Sequence, residues 1–332
     1  MKFKNSILSI AILSAGLTAC GGSSSTTDAA DNGSKKSSFA SLNIQCVDTE
    51  NTSTVLKKAA ISISNEVLTL SVVDSYFSGS DFATSSAEIV SYDTCSDRLY
   101  VVNSQAASID VLALNANNSA PSKVGNIDLS LAATAAGIEI GAANSVSAKQ
   151  GLVAVAIEAK VKQNPGLIAL YRSDDLSLLA TYSAGALPDM VTLSSDGQTI
   201  LTANEGEPSS DYVNDPEGSV TIVDLSEGYS SADAVVKQVS FSAFNIGASR
   251  HTELDANVRI TGPAGTSVAQ DLEPEYLAIN SDNTKAYVAL QENNAIAIID
   301  IATADIDSIK GLGEKSWNAA SGNELDASNK DD

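Results

Sequence analysis

Histidine is almost missing from this chain: His251 is the single one in 332 residues. That excludes a histidine-rich zinc site and any relay that needs two imidazoles, and a Ser-His-Asp triad would have to use His251 itself. His251 sits in the polar stretch ASRHTELDAN, which reads as a solvated loop. Basic residues are scarce as well, 19 Lys and Arg against 41 Asp and Glu, and no basic run carries interleaved aromatics. A formal charge of −22 repels nucleic acid, which is therefore excluded as a partner. Neither G-x-S-x-G nor G-x-x-x-x-G-K-[ST] occurs, so the hydrolase elbow and the phosphate-cradling loop are both absent and no nucleotide or organic cofactor is expected. Aromatics make up only 5% of the residues and no sustained amphipathic helix is visible; 130–140 is the one modest candidate. What remains is a composition rich in Ser, Ala, Thr, Val and Ile, suited to many short strands joined by small-residue turns.

The first twenty residues have their own logic. Lys2 and Lys4 form a positive start, and the apolar run Ile7–Leu17 is too short to span a bilayer. It ends in Leu17-Thr18-Ala19-Cys20, followed by Gly21-Gly22 and three serines, which resembles a bacterial lipobox. The expectation is a signal peptide over 1–19, with Cys20 as the lipidated mature N-terminus and the membrane as a partner through that anchor. The alternative is an ordinary signal peptide with an incidental Cys20. No Asp follows the cysteine, which on this resemblance favours the outer membrane. Residues 20–50 read as the anchored cysteine and a flexible Gly/Ser/Thr/Asp linker; its low-complexity part, 21–38, would reach about 25 Å. Cys46 and Cys95 are the two remaining cysteines, and in an oxidising compartment they are expected to pair, two buried free thiols being the alternative.

Residues 51–332 are read as a partial β-propeller, because a repeat runs through them. LPDMVTLSSDGQTILTANE (187–205) aligns without gaps with EPEYLAINSDNTKAYVALQ (273–291). Each is a strand, a tight turn at Ser195-Asp196-Gly197 or Ser281-Asp282-Asn283, and a second strand; Asp-Gly and Asp-Asn tolerate the positive φ such turns require. Third strands follow at 218–226 and 294–302, and a fourth is expected at 234–241. AEIVSYDTCSDRLYVVNS (87–104) with 107–114 is a further copy, and 144–158 with 166–179 a divergent one. Four strand–turn–strand–loop–strand units therefore run from about residue 87 to 305. With no helical spacers, such units stack as blades around an axis, giving an all-β propeller fold of which about four blades are visible.

The blades resemble the YVTN propeller repeats of prokaryotic surface proteins through RLYVVNSQAASIDVLAL and KAYVALQENNAIAIIDIATA. Three longer stretches resemble the choice-of-anchor I family: SAEIVSYDTCSDRLYVVNSQAASIDVL, GALPDMVTLSSDGQTILTANEGEPSSDYVNDPEGSVTIVDLS and TSVAQDLEPEYLAINSDNTKAYVALQENNAIAIIDI. The similarity covers roughly 80–332 and implies a propeller that reaches the cell surface by one of several anchors. Members often carry alkaline-phosphatase labels, which implies a metal-dependent phosphoesterase as the alternative to a binding or scaffold module. This chain departs from the family pattern at GLGEKSWNAAS, with Glu314 and Trp317, and reaches GNELDASNKDD where relatives continue through further blades. A propeller of six to eight blades, cut short here with an exposed edge, is the expectation.

Candidate site residues are oxygen donors. The insertion NEGEPSSDYVNDPEG carries Glu205, Glu207, Asp211, Asn214, Asp215 and Glu217, and a carboxylate-rich loop with Gly and Pro can wrap Ca²⁺. Its spacing is not that of an EF-hand, and a solvated acidic loop is the alternative. The repeat alignment also places Glu88, Asn144, Asp189 and Glu275 at one position at the start of each first strand, and Ser104, Glu158, Glu205 and Gln291 at the end of each second strand. First strands line a propeller's channel, so these residues are expected to form a carboxylate rim, either hydrated or holding Ca²⁺. The expected role is binding or scaffolding of an unknown protein or small-molecule ligand in the cell envelope.

Overall fold

Tight turns set the architecture. In each blade the first hairpin turns through a residue at positive φ: Asp97 (53°), Gln150 with Gly151 (53° and 86°), Gly197 (70°) and Asn283 (59°). Small polar side chains hold these turns. Ser194 Oγ accepts from the Thr199 amide at 2.9 Å, and Asn280 Oδ1 accepts from the amides of Thr284 and Lys285, both at 2.9 Å. The structure, a computed structural model, describes residues 37–47, 75–80, 84–114, 120–317, 320 and 322. The expected leader, Cys20 and most of the linker lie outside the described residues.

Among the described residues, sixteen strands form four antiparallel four-stranded meanders. Blade 1 consists of β1 (Val90–Asp93), β2 (Arg98–Asn103), β3 (Ser108–Ala113) and β4 (Ser122–Asp128). Blade 2 consists of β5 (Ile140–Lys149), β6 (Leu152–Ala159), β7 (Pro165–Arg172) and β8 (Leu178–Ala186). Blade 3 consists of β9 (Pro188–Leu193), β10 (Thr199–Asn204), β11 (Ser219–Asp224) and β12 (Val235–Ser240). Blade 4 consists of β13 (Pro274–Ile279), β14 (Lys285–Leu290), β15 (Ala295–Asp300) and β16 (Asp305–Gly311). The expected propeller blades are therefore present, each with a fourth strand. A helix, α2 (Ser130–Ala136), occupies the first part of the 130–140 candidate and stops at Gly137 in the left-handed region; Ile140 already opens β5. Two single-turn α-helices, α1 (Phe39–Leu42) and α3 (Val268–Asp271), also occur among the described residues, with Ser267 and Gln270 closing a capping box on α3.

The blades stack face to face. The first strands form a row, β1 against β5, β5 against β9 and β9 against β13, so they line one axis. Ser91 Oγ accepts from the Ala148 amide at 2.8 Å and Ser147 Oγ from the Leu193 amide at 3.1 Å, tying successive first strands together. Between the sheets lie buried, largely aliphatic layers: Tyr100, Val102, Ile109 and Val111 of blade 1 meet Val153, Val155 and Ile157 of blade 2, and Leu201, Ala203, Val220 and Ile222 of blade 3 meet Leu277, Val288, Ala297 and Ile299 of blade 4. Each such Leu, Ile or Val side chain stabilises the stack by about 1.5–3 kcal/mol through removal of its surface from water.

An N-terminal arm crosses one end of the stack. Cys46 is bonded to Cys95 in the β1–β2 turn, with their Cα atoms 4.4 Å apart. Leu42 O accepts from Arg172 Nη1 at 2.7 Å, and the Gln45 amide donates to Asp174 at 3.2 Å, both partners lying in blade 2. Phe39 packs on Tyr229 with ring centroids 5.7 Å apart, and Ser37 hydrogen-bonds Asp233, both in blade 3. All these partners sit in or beside β1–β2, β7–β8 and β11–β12 turns, which share one end of the blades. The arm therefore staples three blades together at that end.

Candidate functional site

The opposite end is acidic. Chain direction requires this: the starts of first strands and the ends of second strands lie away from the arm, and the aligned carboxylates occupy those positions. Glu88 precedes β1 and accepts from Ser104 Oγ at 3.3 Å; Ser104 also donates to Ala143 O at 2.7 Å, bridging blades 1 and 2. Asn144 in β5 donates to Pro188 O at 3.1 Å, bridging blades 2 and 3. Glu158, ending β6, accepts from the Ala142 amide at 3.1 Å.

Electrostatics show that the rim residues share one space. Burial raises the Asp189 carboxyl above the usual range; Glu88 and Glu158 reinforce the rise and Lys162 opposes it. Glu88 belongs to blade 1 and Asp189 to blade 3, so their coupling runs across the axis. Glu205 is pushed up to about 8, first by burial and then by Asp189, Glu207, Glu273 and Glu275. Glu275 is raised by burial, by Glu292 and by Asp189. The structure thus brings together Glu88, Asp189, Glu205 and Glu275 of the expected rim, with Asn144 among them.

Two members were not anticipated. Glu273 is pushed up to about 7 by burial, with Glu292, Asp271, Glu207 and Asp215 next in order, and Glu292 adjoins Glu275. Both flank aligned positions: Glu273 stands two residues before Glu275, and Glu292 follows Gln291. The Glu-Pro-Glu doublet at the start of β13 was the available signal. Asp271 lies deeper, 9% exposed, and is structural: its carboxylate accepts from the amides of Thr261 and Gly262 and from Asn293 Nδ2. Asn293 in turn caps Asp271 O at 2.7 Å and Arg259 O at 2.9 Å.

The acidic insertion divides rather than wraps. Glu207 pairs with Lys162 at 3.4 Å and its carbonyl accepts from Gln163, which turns it to the rim. Asp211 is exposed and held low by Ser209 Oγ and the Val213 amide; Asn214 is exposed, and exposed Glu217 only touches Ser240 Oγ at 3.4 Å. Asp215 lines a cleft of about 140 Å³ together with Tyr212, Asp271, Glu273 and Glu292, and its buried Oδ1 has no hydrogen-bond partner among the described residues. Burial and Asp271 raise its carboxyl. The loop that carries the expected calcium ligands Glu205, Glu207, Asp211, Asp215 and Glu217 is held by Ser209 Oγ, by the Val213 amide and by Lys162. Among the described residues no three His, Cys, Asp or Glu side chains converge as metal ligands. The carboxylates are close enough to raise one another's proton affinity. His251 lies in a 3₁₀ turn with Nδ1 3.1 Å from Phe244 O, remote from the acidic set in sequence and bonding.

A profile described as Choice-of-anchor I domain matches residues 88–332. A search of curated proteins found no significant match. Among solved structures, the β-propeller domain of Cps50 (Swd1) from Myceliophteria thermophila is 9% identical, with 69% of this chain and 56% of that one covered at a TM-score of 0.43. A protein of unknown function from Desulfotomaculum acetoxidans is 10% identical, with 66% and 54% covered at a TM-score of 0.40. The chain spans about half the length of these structures. The sequence match covers all four blades and both ends of the acidic rim, and on it the chain belongs to the choice-of-anchor I family.

Proposed function

We propose that this protein is a cell-envelope binding module, tethered by lipid at Cys20, that presents its acidic rim to a positively charged ligand on the side facing away from the membrane. Family membership supports a surface or envelope setting. The polarity follows from the arm: chain enters the described fold at Ser37, on the end opposite Glu205 and Glu275. The observation that carries the reading is the set of carboxyls raised by burial and mutual repulsion, with Glu205 at about 8 and Glu273 at about 7, beside Asp215 Oδ1, which has no partner among the described residues. Nearby positive charge relieves that repulsion. With no three His, Cys, Asp or Glu side chains converging among the described residues, ammonium or guanidinium groups, or Ca²⁺ held through its water shell, are favoured over a directly coordinated ion. Binding is favoured over catalysis because a phosphoesterase needs converging metal ligands, and among the described residues no such three converge.

Isothermal titration of the full chain with Ca²⁺ and, separately, with oligolysine tests this reading. Saturable binding that weakens at least tenfold in an Asp189→Asn/Glu275→Gln variant, at low ionic strength, is expected. Heats indistinguishable from dilution for both titrants would remove it.

A further inference from the structure

One peptide bond in the acidic loop combines a nucleophile, a polarised carbonyl and a good leaving group. Asp215-Pro216 is the single Asp-Pro step in the chain. Its amide nitrogen is tertiary and carries no hydrogen, so it departs as a secondary amine more readily than an ordinary amide nitrogen. The carbonyl of that bond, Asp215 O, accepts from Gln270 Nε2 at 2.7 Å. Gln270 is fixed in that pose, because its Oε1 accepts from the Ser267 amide at 3.0 Å as the return arm of the α3 capping box. The Asp215 carboxyl is uncommitted: buried Oδ1 has no hydrogen-bond partner among the described residues, and the described residues lining the cleft include no Lys, Arg or His. Holding the loop does not require it. The Ser209 amide donates to Asn214 O at 2.8 Å, and Asp211 accepts from Ser209 Oγ and the Val213 amide, which closes the preceding turn without Asp215.

We propose that the chain cleaves itself at Asp215-Pro216. In its acid form, Asp215 attacks its own main-chain carbonyl carbon with a side-chain oxygen and closes a five-membered cyclic anhydride. Negative charge gathers on the carbonyl oxygen, where the Gln270 N–H is already aimed. The tetrahedral centre collapses, the carbon–nitrogen bond breaks, and the carboxyl proton passes to the Pro216 nitrogen. Water then opens the anhydride, so one peptide bond and one water become a C-terminal Asp215 and an N-terminal Pro216. The other ionisable groups in the cleft, Tyr212, Asp271, Glu273 and Glu292, are all acids, so no cation there holds Asp215 ionised. The cleft of about 140 Å³ has room for the water, which takes roughly 30 Å³. Cleavage needs no ligand on the rim, and it leaves the blade standing. The cut falls between β10 and β11, which pair from Thr199 with Asp224 to Asn204 with Ser219, and the Cys46–Cys95 bridge lies wholly before it. The two pieces stay together in native solution and part in denaturant without reductant.

The purified full chain, kept folded in mildly acidic buffer over days and sampled by intact mass and denaturing gels without reductant, tests this. Two fragments are expected, one ending at Asp215 and one beginning at Pro216, with the native size unchanged. Gln270→Glu keeps the acceptor that the capping box uses and loses the donor, and it should slow the cut roughly a hundredfold. Asp215→Ala should abolish the cut, and the parent held in urea should cut at least about tenfold more slowly than when folded. A folded parent that stays intact overturns the inference. An equal rate in urea or in Gln270→Glu also overturns it, since that is the ordinary lability of an Asp-Pro step. A cut that survives Asp215→Ala does the same, since it marks a contaminating protease.

Discussion

At the scale of single residues, the rim carboxyls are the groups most at odds with their surroundings. A carboxyl raised in the folded state binds more protons there than in the unfolded chain, so folding gains stability below the unfolded value and loses it as pH climbs through the folded one. For Glu205 that window runs from about 4.5 to about 8, and for Glu273 from about 4.5 to about 7. Replacing Glu205 with Gln removes the charge while keeping the shape. The Glu205→Gln chain is expected to be more stable than the parent by on the order of 1–2 kcal/mol at pH 8, after discounting for screening at the solvent-open mouth, and nearly equal at pH 5. Urea unfolding at the two pH values reads this directly; a variant less stable than the parent at pH 8 contradicts the repulsion.

At the scale of elements, the arm deserves a ledger of its own partners: three blades, one covalent bond and two aromatic rings. Reducing the bond between Cys46 and Cys95, 49 residues apart, is expected to lower stability by about 4 kcal/mol on chain-entropy grounds. The sign is checked by chemical unfolding with and without reductant, and alkylation should count two protected thiols in native exported protein. How legible the elements were depended on burial. Strand β10 reads plainly because every residue from Ile200 to Asn204 is buried, and the Asp-Gly turn before it permits only one hairpin. Strand β4 was missed because Ser122–Asp128 is an exposed outer strand with one buried residue and no alternation. Strand β16 was missed because a bulge at Ile298–Ile299 shifts the register, which puts Ile306 and Ile309 out of period. The rim was legible because equivalent positions of a repeat must share a level around the axis. The layout of the acidic loop was not, since Lys162 and Ser209, which hold it, act through space and through turn geometry that spacing does not encode.

At the scale of the whole molecule, the account rests on polarity: the arm at one end, the acidic rim at the other. Without Lys2 and Lys4 the remaining chain carries −24. If Cys20 carries the lipid, Cys20→Ala should move the protein from the membrane to the soluble fraction, and unchanged fractionation would mean another anchor. The central claim, that the rim is a field awaiting positive charge, is tested most directly by melting temperature against pH from 5 to 8.5, in chelator and in millimolar Ca²⁺. In chelator the melting temperature should fall as pH rises through 7 to 8, as Glu273 and Glu205 are forced to ionise together. Cation should restore most of the loss, by about 2.7 kcal/mol at a hundredfold excess over Kd, and should do little at pH 5. A melting temperature that is flat across this range and indifferent to calcium would contradict the account.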